Sequence, residues 1–238
     1  MSELKRVAAV CGSPRAGTLS GKSLTQRMLE HFLKGLAPRE CSVFYPHRMN
    51  IAYCTGCLTC WFKTTGVCAI NDGMTAIREA MDKSDLIILA SPVYADGFSA
   101  QTKVVLDRMI CTMDPLISVD PEGHCRHNLL RQHQPTALLI SCCGFSEMDN
   151  FDQIHSHFKA ICRNLSWRDG GAVLLPAGGL AFVPQKYDHK FAAIEKAGDE
   201  MAKDGKISLN TAEIISREMV SAVEYQAFLN PYFTKLKK

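Results

Sequence analysis

The sequence predicts an α/β protein with a doubly wound, five-stranded parallel sheet and additional C-terminal helices. Five short runs are almost wholly apolar, as expected for strands that are buried on both faces of a sheet. Amphipathic helical patterns alternate with these runs, which is typical of a parallel sheet covered by helices on both sides. The chain of 238 residues is 47% hydrophobic and 21% charged, so one sizeable buried core is expected.

Each element follows from a local pattern. The predicted strands are, in chain order, "LKRVAAVCGS", "CSVFYPH", "DLIILASPVY", "TALLISCCGF" and "GAVLLP". Helical spacing of apolar residues predicts six helices. The first runs from about Ser20 to Leu36, the second from a cap at Asp72 through Met81, and the third lies around Val104, Val105 and Met109. The last three run from about Phe151 to Leu165, from Asp188 to Lys203 and from Thr211 to Leu229.

The chain is predicted to form a single domain over residues 1–238, because no repeat, low-complexity tract or linker interrupts it. The cysteine-containing segment 54–68 is inserted as a loop, and a helical extension covers about 205–238. The connection from Cys111 to Pro135 is long and is expected to be a functional loop or a short excursion. The final helices, with Phe228, Tyr232 and Phe233, are expected to extend the core or to form a subunit contact.

The charge pattern excludes two classes of partner. Lys and Arg number 27 against 24 for Asp and Glu, a net charge of +3, and no basic block or stripe is present. We therefore expect no nucleic-acid or membrane partner. No apolar run approaches the ~20 residues of a membrane span, and "MSELKRVAAV" lacks the apolar core of a signal peptide. A cytoplasmic location is expected.

The eleven cysteines do not suggest a disulfide framework, because the expected compartment is reducing and the number is odd. Cys11, Cys142 and Cys143 end apolar runs and are expected to act as small hydrophobic residues. The polar segment "CTGCLTCWFKTTGVC" is different, since it has the pattern C-x2-C-x2-C-x7-C. Three cysteines at successive x2 spacings and a later fourth fit a [4Fe–4S] cluster. Zinc or free thiols remain alternatives.

The loop "GSPRAGTLSGKS", Gly12 to Ser23, follows the first strand and opens into a helix. Backbone N–H groups at a helix start, together with hydroxyls, suit a phosphate. A serine-capped helix after a polar turn is the alternative without a ligand. No G-x-G-x-x-G fingerprint is present, so a mononucleotide is favoured over a dinucleotide.

A second interpretation of this loop is a P-loop, because "AGTLSGKS" has its spacing with Ala in the first Gly position. Lys22 and Ser23 would then serve the phosphates and magnesium. Against this interpretation, the strand ends several residues too early, at Cys11. The strands "LIILASPVY" and "LLISCCGF" also carry no terminal Asp to hold magnesium.

Several motifs together resemble one family. "GSPR" after the first strand, "SPVY" after the third and "KVVLDR" on the next helix resemble the NADPH-dependent FMN reductases of flavodoxin-like fold. With "CTGCLTC", Cys68 and "NDGM", the chain is most similar to the iron–sulfur flavoprotein branch of that group. The resemblance runs from about Arg6 to Pro176. The chain departs from the family in its longer first loop and in Gly73, where the family often has Asp.

The resemblance implies an FMN cofactor whose phosphate lies in the first loop, and NAD(P)H as co-substrate. The implied cofactor contacts are Ser13, Arg15, Ser20, Lys22 and Ser23 in the first loop, Pro92, Val93 and Tyr94 after the third strand, and Cys142, Cys143, Gly144 and Phe145 after the fourth. The implied cluster ligands are Cys54, Cys57, Cys60 and Cys68. A homo-oligomer, dimer or tetramer, in which a neighbouring subunit completes the flavin site, is also implied.

The predicted function is that of an FMN-dependent oxidoreductase that uses NAD(P)H to reduce a flavin, a quinone or another small acceptor. A [4Fe–4S] cluster or a redox protein is a further expected electron partner, and no side chain is assigned a catalytic role because the flavin performs the chemistry. A non-enzymatic electron carrier is one alternative, although such carriers are usually strongly acidic. A P-loop phosphohydrolase is another. "GHCRH", Gly123 to His127, is a candidate substrate-side element.

Overall fold

A computed structural model describes residues 6–17, 23–131, 133–182 and 186–237. Its strands are β1 (Arg6–Cys11), β2 (Glu40–Phe44), β3 (Leu86–Tyr94), β4 (Gly97–Phe98), β5 (Met113–Val119), β6 (Cys125–Leu129), β7 (Thr136–Cys142) and β8 (Arg168–Leu175). Five of them form the parallel sheet in the order β2-β1-β3-β7-β8. This confirms the predicted sheet, and its order is the 2-1-3-4-5 of flavodoxin-like folds.

The helices cover both faces of this sheet. They are α1 (Leu24–Leu36), α2 (Thr59–Phe62), α3 (Met74–Lys83), α4 (Ala100–Asp107), α5 (Asp152–Asn164), α6 (Asp188–Asp204), α7 (Leu209–Ser216) and α8 (Ala222–Leu236). Short 3-10 helices occupy Pro46–Arg48, Arg108–Thr112, Met148–Phe151 and Gly178–Phe182. Among the described residues, no helix combines the length and the apolar character needed to cross a membrane.

The prediction of one helix from Thr211 to Leu229 is wrong, because α7 ends at Ser216 and α8 begins at Ala222. A capping box starts the second helix: the Ser221 hydroxyl accepts a hydrogen bond from Glu224 N, and the Glu224 carboxylate accepts one from Ser221 N at 2.8 Å. These bonds satisfy N–H groups that have no partner at a helix start. The polar residues before α8 therefore divide the helical pattern.

The long connection before β7 contains the antiparallel hairpin of β5 and β6, which agrees with the predicted short excursion. At its turn, the Asp120 carboxylate accepts a hydrogen bond from His124 N at 2.7 Å, and Gly123 has a φ of 85°. "GHCRH" therefore forms the tip and second strand of this hairpin. A tighter turn joins β3 to β4 through Ala95 and Asp96, which both have positive φ.

Two apolar cores lie on opposite faces of the sheet. Val7 and Ala9 of β1 pack towards α1, α6 and the last two helices, whereas Ala8 and Val10 pack towards α3, α4 and α5. Helices α1 and α6 cross closely, because a Cβ added at Gly35 would collide with the Glu195 carbonyl. The first of these cores therefore fixes the C-terminal helices to the sheet.

Candidate functional site

A pocket of about 700 Å³ lies beyond the carboxyl ends of β3 and β7, and we refer to it as the strand-end pocket. Doubly wound sheets bind their ligands at this edge. The described residues that line it are Arg15, Leu24, Arg27, Pro92, Val93, Tyr94, Cys142, Cys143, Gly144, Gly178, Gly179, Ala181, Tyr232 and Phe233. The two charged residues in this set are arginines, so the described lining suits an anionic ligand.

The structure brings together seven of the residues that the sequence predicts as cofactor contacts: Arg15, Pro92, Val93, Tyr94, Cys142, Cys143 and Gly144. Ser13 is buried and Phe145 is 65% exposed, and neither is part of the lining. Ser23 is the N-cap of α1, where its hydroxyl accepts a hydrogen bond from Gln26 N at 3.2 Å. Ser20 and Lys22 lie outside the described residues. A role in FMN binding stays a prediction for all of them.

A network of buried hydroxyls fixes the strand ends beneath the pocket. The Ser99 hydroxyl donates to the Gly12 carbonyl at 2.7 Å, and Ser99 N donates to the Ser91 hydroxyl at 3.0 Å. The Ser141 hydroxyl donates to the Ser91 carbonyl at 2.7 Å, which ties β7 to β3. Each hydroxyl occupies a buried position with its bonds made, so the backbone of the "SPVY" segment is held firmly.

The cysteines at these strand ends are neutral thiols. Burial raises the pKa of Cys11 to about 11 and that of Cys143 to about 12. Burial also raises the pKa of Cys142, whose sulfur lies 3.3 Å from the Thr25 hydroxyl. All three are buried, which confirms the prediction that they act as small hydrophobic residues.

Helix α8 supplies a wall of the strand-end pocket that the sequence did not predict. The Tyr225 hydroxyl donates to the Gly144 carbonyl and accepts from Gly179 N at 2.8 Å. Further along α8, Tyr232 and Phe233 line the pocket directly. The local pattern gave no signal for this role, because it depends on where the helix docks.

Arg27 is a second pocket residue that the sequence did not predict. It lies in the first turn of α1, and its guanidinium stands 4.3 Å from the centre of the Phe191 ring. This cation–π contact holds the side chain beside the pocket. Together with Arg15, it places two cationic groups on the side of the first loop.

The second predicted site, the cysteine loop of residues 54–68, folds around a small cavity of about 20 Å³. Cys54, Cys57, Cys60 and Cys68 all line it, together with Arg108, Cys111 and neighbouring backbone. Gly56 and Leu58 have φ values of 64° and 53°, and these left-handed residues turn the chain between successive cysteines. The loop therefore brings all four cysteines of the motif into the lining of one cavity.

The thiols of the loop have different environments. Cys60 is 6% exposed, and burial, with the nearby charges of Cys68, Cys57 and Cys54, raises its pKa. Cys57 is exposed, and hydrogen bonds from the Thr59 hydroxyl and N–H lower its pKa to about 7. Among the described residues, no group of three or more His, Cys, Asp or Glu side chains is close enough to hold a single metal ion.

A buried ion pair closes the cysteine loop at both ends. Arg108 donates to the Asp72 carboxylate at 2.9 Å, to the Ala52 carbonyl at 2.8 Å and to the Ile70 carbonyl at 3.0 Å. The Asp72 carboxylate also accepts from Ala52 N at 2.8 Å and from Met74 N at 3.0 Å. Gly73 directly precedes α3, and the carboxylate of Asp72 caps the helix start by accepting from Met74 N, as predicted. Asp72 therefore connects the loop to α3 and to Arg108.

The electrostatics of this pair favour an anionic centre in the loop. Burial acts to raise the pKa of Asp72, but the hydrogen bonds from Arg108, Ala52 and Met74 outweigh it and lower that pKa. Burial acts to lower the pKa of Arg108, but Asp72 and the neighbouring Cys68 outweigh it and raise it. Arg108 Nε is buried without a hydrogen-bond partner, in a side chain that lines the thiol cavity. Four cysteine side chains could supply the thiolate ligands of an iron–sulfur cluster. The free N–H of Arg108 could then donate a hydrogen bond to the negatively charged cluster or its thiolates.

The sheet order and the strand-end pocket define a flavodoxin-like α/β protein. Residues 5–147 match the model of the NADPH-dependent FMN reductase family, and the chain belongs to that family.

Curated relatives support the iron–sulfur flavoprotein branch. The chain is 35% identical over 105 residues to an iron–sulfur flavoprotein of Archaeoglobus fulgidus, a match covering 44% of this chain and 46% of the relative. It is 30% identical over 105 residues to an iron–sulfur flavoprotein of Methanosarcina thermophila, a match covering 44% and 52% respectively. The chain thus spans about half the length of the curated relatives it matches.

A solved structure agrees with the fold. An FMN-dependent NADH-azoreductase from Bacillus anthracis str. Ames Ancestor, in complex with FMN, superposes with a TM-score of 0.60 and 15% identity. The match covers 83% of this chain and 99% of that structure. At this identity the likeness establishes the fold alone.

Proposed function

We propose that the protein is an FMN-dependent oxidoreductase that takes electrons from NAD(P)H and reduces a flavin, a quinone or another small acceptor. The observation that carries this proposal is the strand-end pocket, which is lined by Pro92, Val93 and Tyr94 and by Cys142 to Gly144. It lies at the ligand-binding edge of a doubly wound sheet, in a chain of the NADPH-dependent FMN reductase family.

The residues of the chain bind and orient the cofactor. Bound FMN would supply the hydride and electron chemistry that connects NAD(P)H with an acceptor. Pro92, Val93 and Tyr94 offer an apolar and aromatic surface for the flat ring, and the buried hydroxyls hold their backbone in place. Arg15 and Arg27 offer positive charge to the phosphate. A Cβ at Gly144 would meet nothing within 4 Å, so the space beside this backbone is open to a ring.

No side chain is assigned as an obligate acid or base. Among its described residues, the pocket lining contains no carboxylate and no imidazole. Its thiols are neutral, since burial holds the pKa of Cys143 at about 12. The chemistry therefore rests on the cofactor, and the protein supplies position and charge.

We also propose that the cysteine loop holds a [4Fe–4S] cluster through Cys54, Cys57, Cys60 and Cys68. Such a cluster supplies one-electron transfer, which suits a redox protein as a further partner. The support is the common cavity that the four thiols line and the Arg108 guanidinium beside it. The ion pair of Arg108 with Asp72 keeps the two ends of the loop in place.

The first experiment is anaerobic purification followed by an absorption spectrum, iron and sulfide analysis, and an assay of NAD(P)H oxidation with a quinone. We expect flavin bands, a shoulder near ~400 nm and about four irons per chain. Flavin without iron would contradict the cluster alone. Bound FMN without NAD(P)H oxidation would favour the non-enzymatic electron carrier. The P-loop enzyme would be favoured if the protein is colourless and has an ATPase activity that Lys22→Ala abolishes.

A homo-oligomer, dimer or tetramer, is part of the proposal. Leu116, Ile117 and Val119 on β5 are each more than 60% exposed, and such apolar side chains are typical of a subunit contact. Light scattering coupled to gel filtration measures the assembly. A monomer at micromolar concentration would contradict it.

A further inference from the structure

The first half of α8 is fixed to the body of the protein. Its capping box closes the N-terminus at Ser221, and Tyr225 and Leu229 are buried in the core. Tyr225 bonds the backbone of both Gly144 and Gly179, two neighbouring glycines in the lining of the strand-end pocket. A Cβ at Gly179 would collide with Tyr225, so this glycine permits the close approach. The start of α8 therefore has one defined position relative to the pocket.

The second half of α8 carries an aromatic pair into the pocket lining. Pro231 lies inside the helix and has no N–H, so the hydrogen-bond ladder is interrupted just before Tyr232 and Phe233. The centres of these two rings are 5.8 Å apart, and their planes are inclined by 56°. Tyr232 is 39% exposed and Phe233 is 42% exposed, although both line the pocket. Part of each ring surface is therefore exposed.

We propose that Tyr232 and Phe233 determine specificity by binding the planar ring of an uncharged quinone acceptor. This inference rests on the proposed FMN-dependent function. The surface predicted to hold the flavin comes from the end of β3, whereas this pair comes from a different element. The side chains that α8 contributes to the lining carry no charge, which suits a neutral ring.

The pocket has room for such a ring beside the cofactor. Its volume of about 700 Å³ lies in the upper half of the ~300–1,000 Å³ range of small-molecule sites. Aromatic side chains recognise planar rings by stacking or edge contacts. In the overall reaction, NAD(P)H, one proton and the quinone give NAD(P)⁺ and the hydroquinone, so the nicotinamide is oxidised and the quinone gains two electrons and two protons.

The test compares Phe233→Ala and Tyr232→Ala with Phe228→Ala, an aromatic of the same helix that is 48% exposed and does not line the pocket. Calorimetry measures the Kd of a water-soluble naphthoquinone for the oxidised, FMN-loaded protein, and flavin fluorescence measures the Kd of FMN. Turnover is assayed with the naphthoquinone and with ferricyanide, which has no aromatic ring.

We expect each pocket variant to raise the Kd and KM of the naphthoquinone about tenfold. In these pocket variants the Kd of FMN and the KM of ferricyanide should change less than the Kd and KM of the naphthoquinone, and all values for Phe228→Ala should stay within twofold of the wild type. Unchanged naphthoquinone binding in both pocket variants would overturn the inference, as would a loss confined to FMN affinity. Failure of the wild type to bind FMN would instead contradict the proposed function.

Discussion

The cysteine loop and the strand-end pocket are built in opposite ways. The loop takes its four thiols from residues 54–68 and is closed by one buried ion pair. The pocket takes its walls from the first loop, the ends of β3 and β7, the segment at Gly178 and the end of α8. A site made from one short segment is recognisable as a motif. A site made from distant segments depends on how helices dock, so single substitutions should affect the two sites separately.

The largest expected effect is the loss of the cluster from the cysteine loop. If the cysteine loop holds the proposed cluster, Cys60→Ser should lower the iron content from about four per chain to near zero, because one buried thiol of the proposed ligand set is lost. FMN affinity should stay unchanged, since the pocket shares no described lining residue with the cavity. Iron analysis and flavin fluorescence measure the two sites after anaerobic purification.

Cys111→Ser is the matched control for this variant, because Cys111 is buried in the same cavity but lies outside the motif. It should keep its iron. Full iron in Cys60→Ser, or equal loss in both variants, would contradict the proposed ligand set.

The next largest effect should follow from breaking the ion pair that closes the loop. The side chains of Asp72 and Arg108 are 5% and 1% exposed, so Asp72→Asn leaves a buried guanidinium without its counter-ion. We expect the free energy of unfolding in urea to fall by about 3 kcal/mol. Asp107→Asn, which breaks the exposed pair with Lys103, should change it by less than about 0.5 kcal/mol.

The pH dependence of the Asp72 variant sharpens this test. The pKa of Asp72 is lower in the folded state than in the unfolded state. The ionised carboxylate therefore contributes fully to the free energy of unfolding above the unfolded-state pKa of about 3.9. This contribution is lost as the pH falls through the lower, folded-state pKa. The stability difference between wild type and Asp72→Asn should therefore shrink on acidification below about pH 4. A difference that does not vary with pH would argue against an ionised Asp72.

The smallest effect should appear in the strand-end pocket. Tyr225→Phe removes the hydroxyl that joins the Gly144 carbonyl to Gly179 N. The lost hydrogen bonding reduces by about 1 kcal/mol the free energy that holds α8 in place at the pocket. The Kd of FMN should rise about fivefold, while the iron content stays constant. Tyr53→Phe is the control, because Tyr53 is 79% exposed next to the cysteine loop. An equal FMN affinity in both variants would contradict a role of the Tyr225 hydroxyl in positioning the pocket wall.

The sequence predicted those parts of the molecule that depend on local pattern. The five buried strands were recognisable because each is nearly all apolar, and the cysteine loop because its spacing is specific. The division at Ser221 was missed, since the capping box interrupts a helical pattern that otherwise continues. The pocket contacts of Arg27 and Tyr232 could not be predicted, because they depend on the docking of α1 and α8 against the sheet.

The hydroxyl network shows the same limit. Ser91 lies near the end of β3, Ser141 lies near the end of β7, and Ser99 is the N-cap of α4. Only the pairing of β3 with β7 and the start of α4 makes them partners. Long-range partners of this kind leave no periodic signal.

The burial of the thiols at the strand-end pocket has a consequence for chemical durability. Burial raises the pKa of Cys143 to about 12, so at pH 7 this side chain is the neutral thiol and not the reactive thiolate. Electrophiles such as quinones alkylate thiolates far faster than neutral thiols. If the acceptor is the proposed quinone, the two buried thiols in the wall of the pocket should react with it slowly.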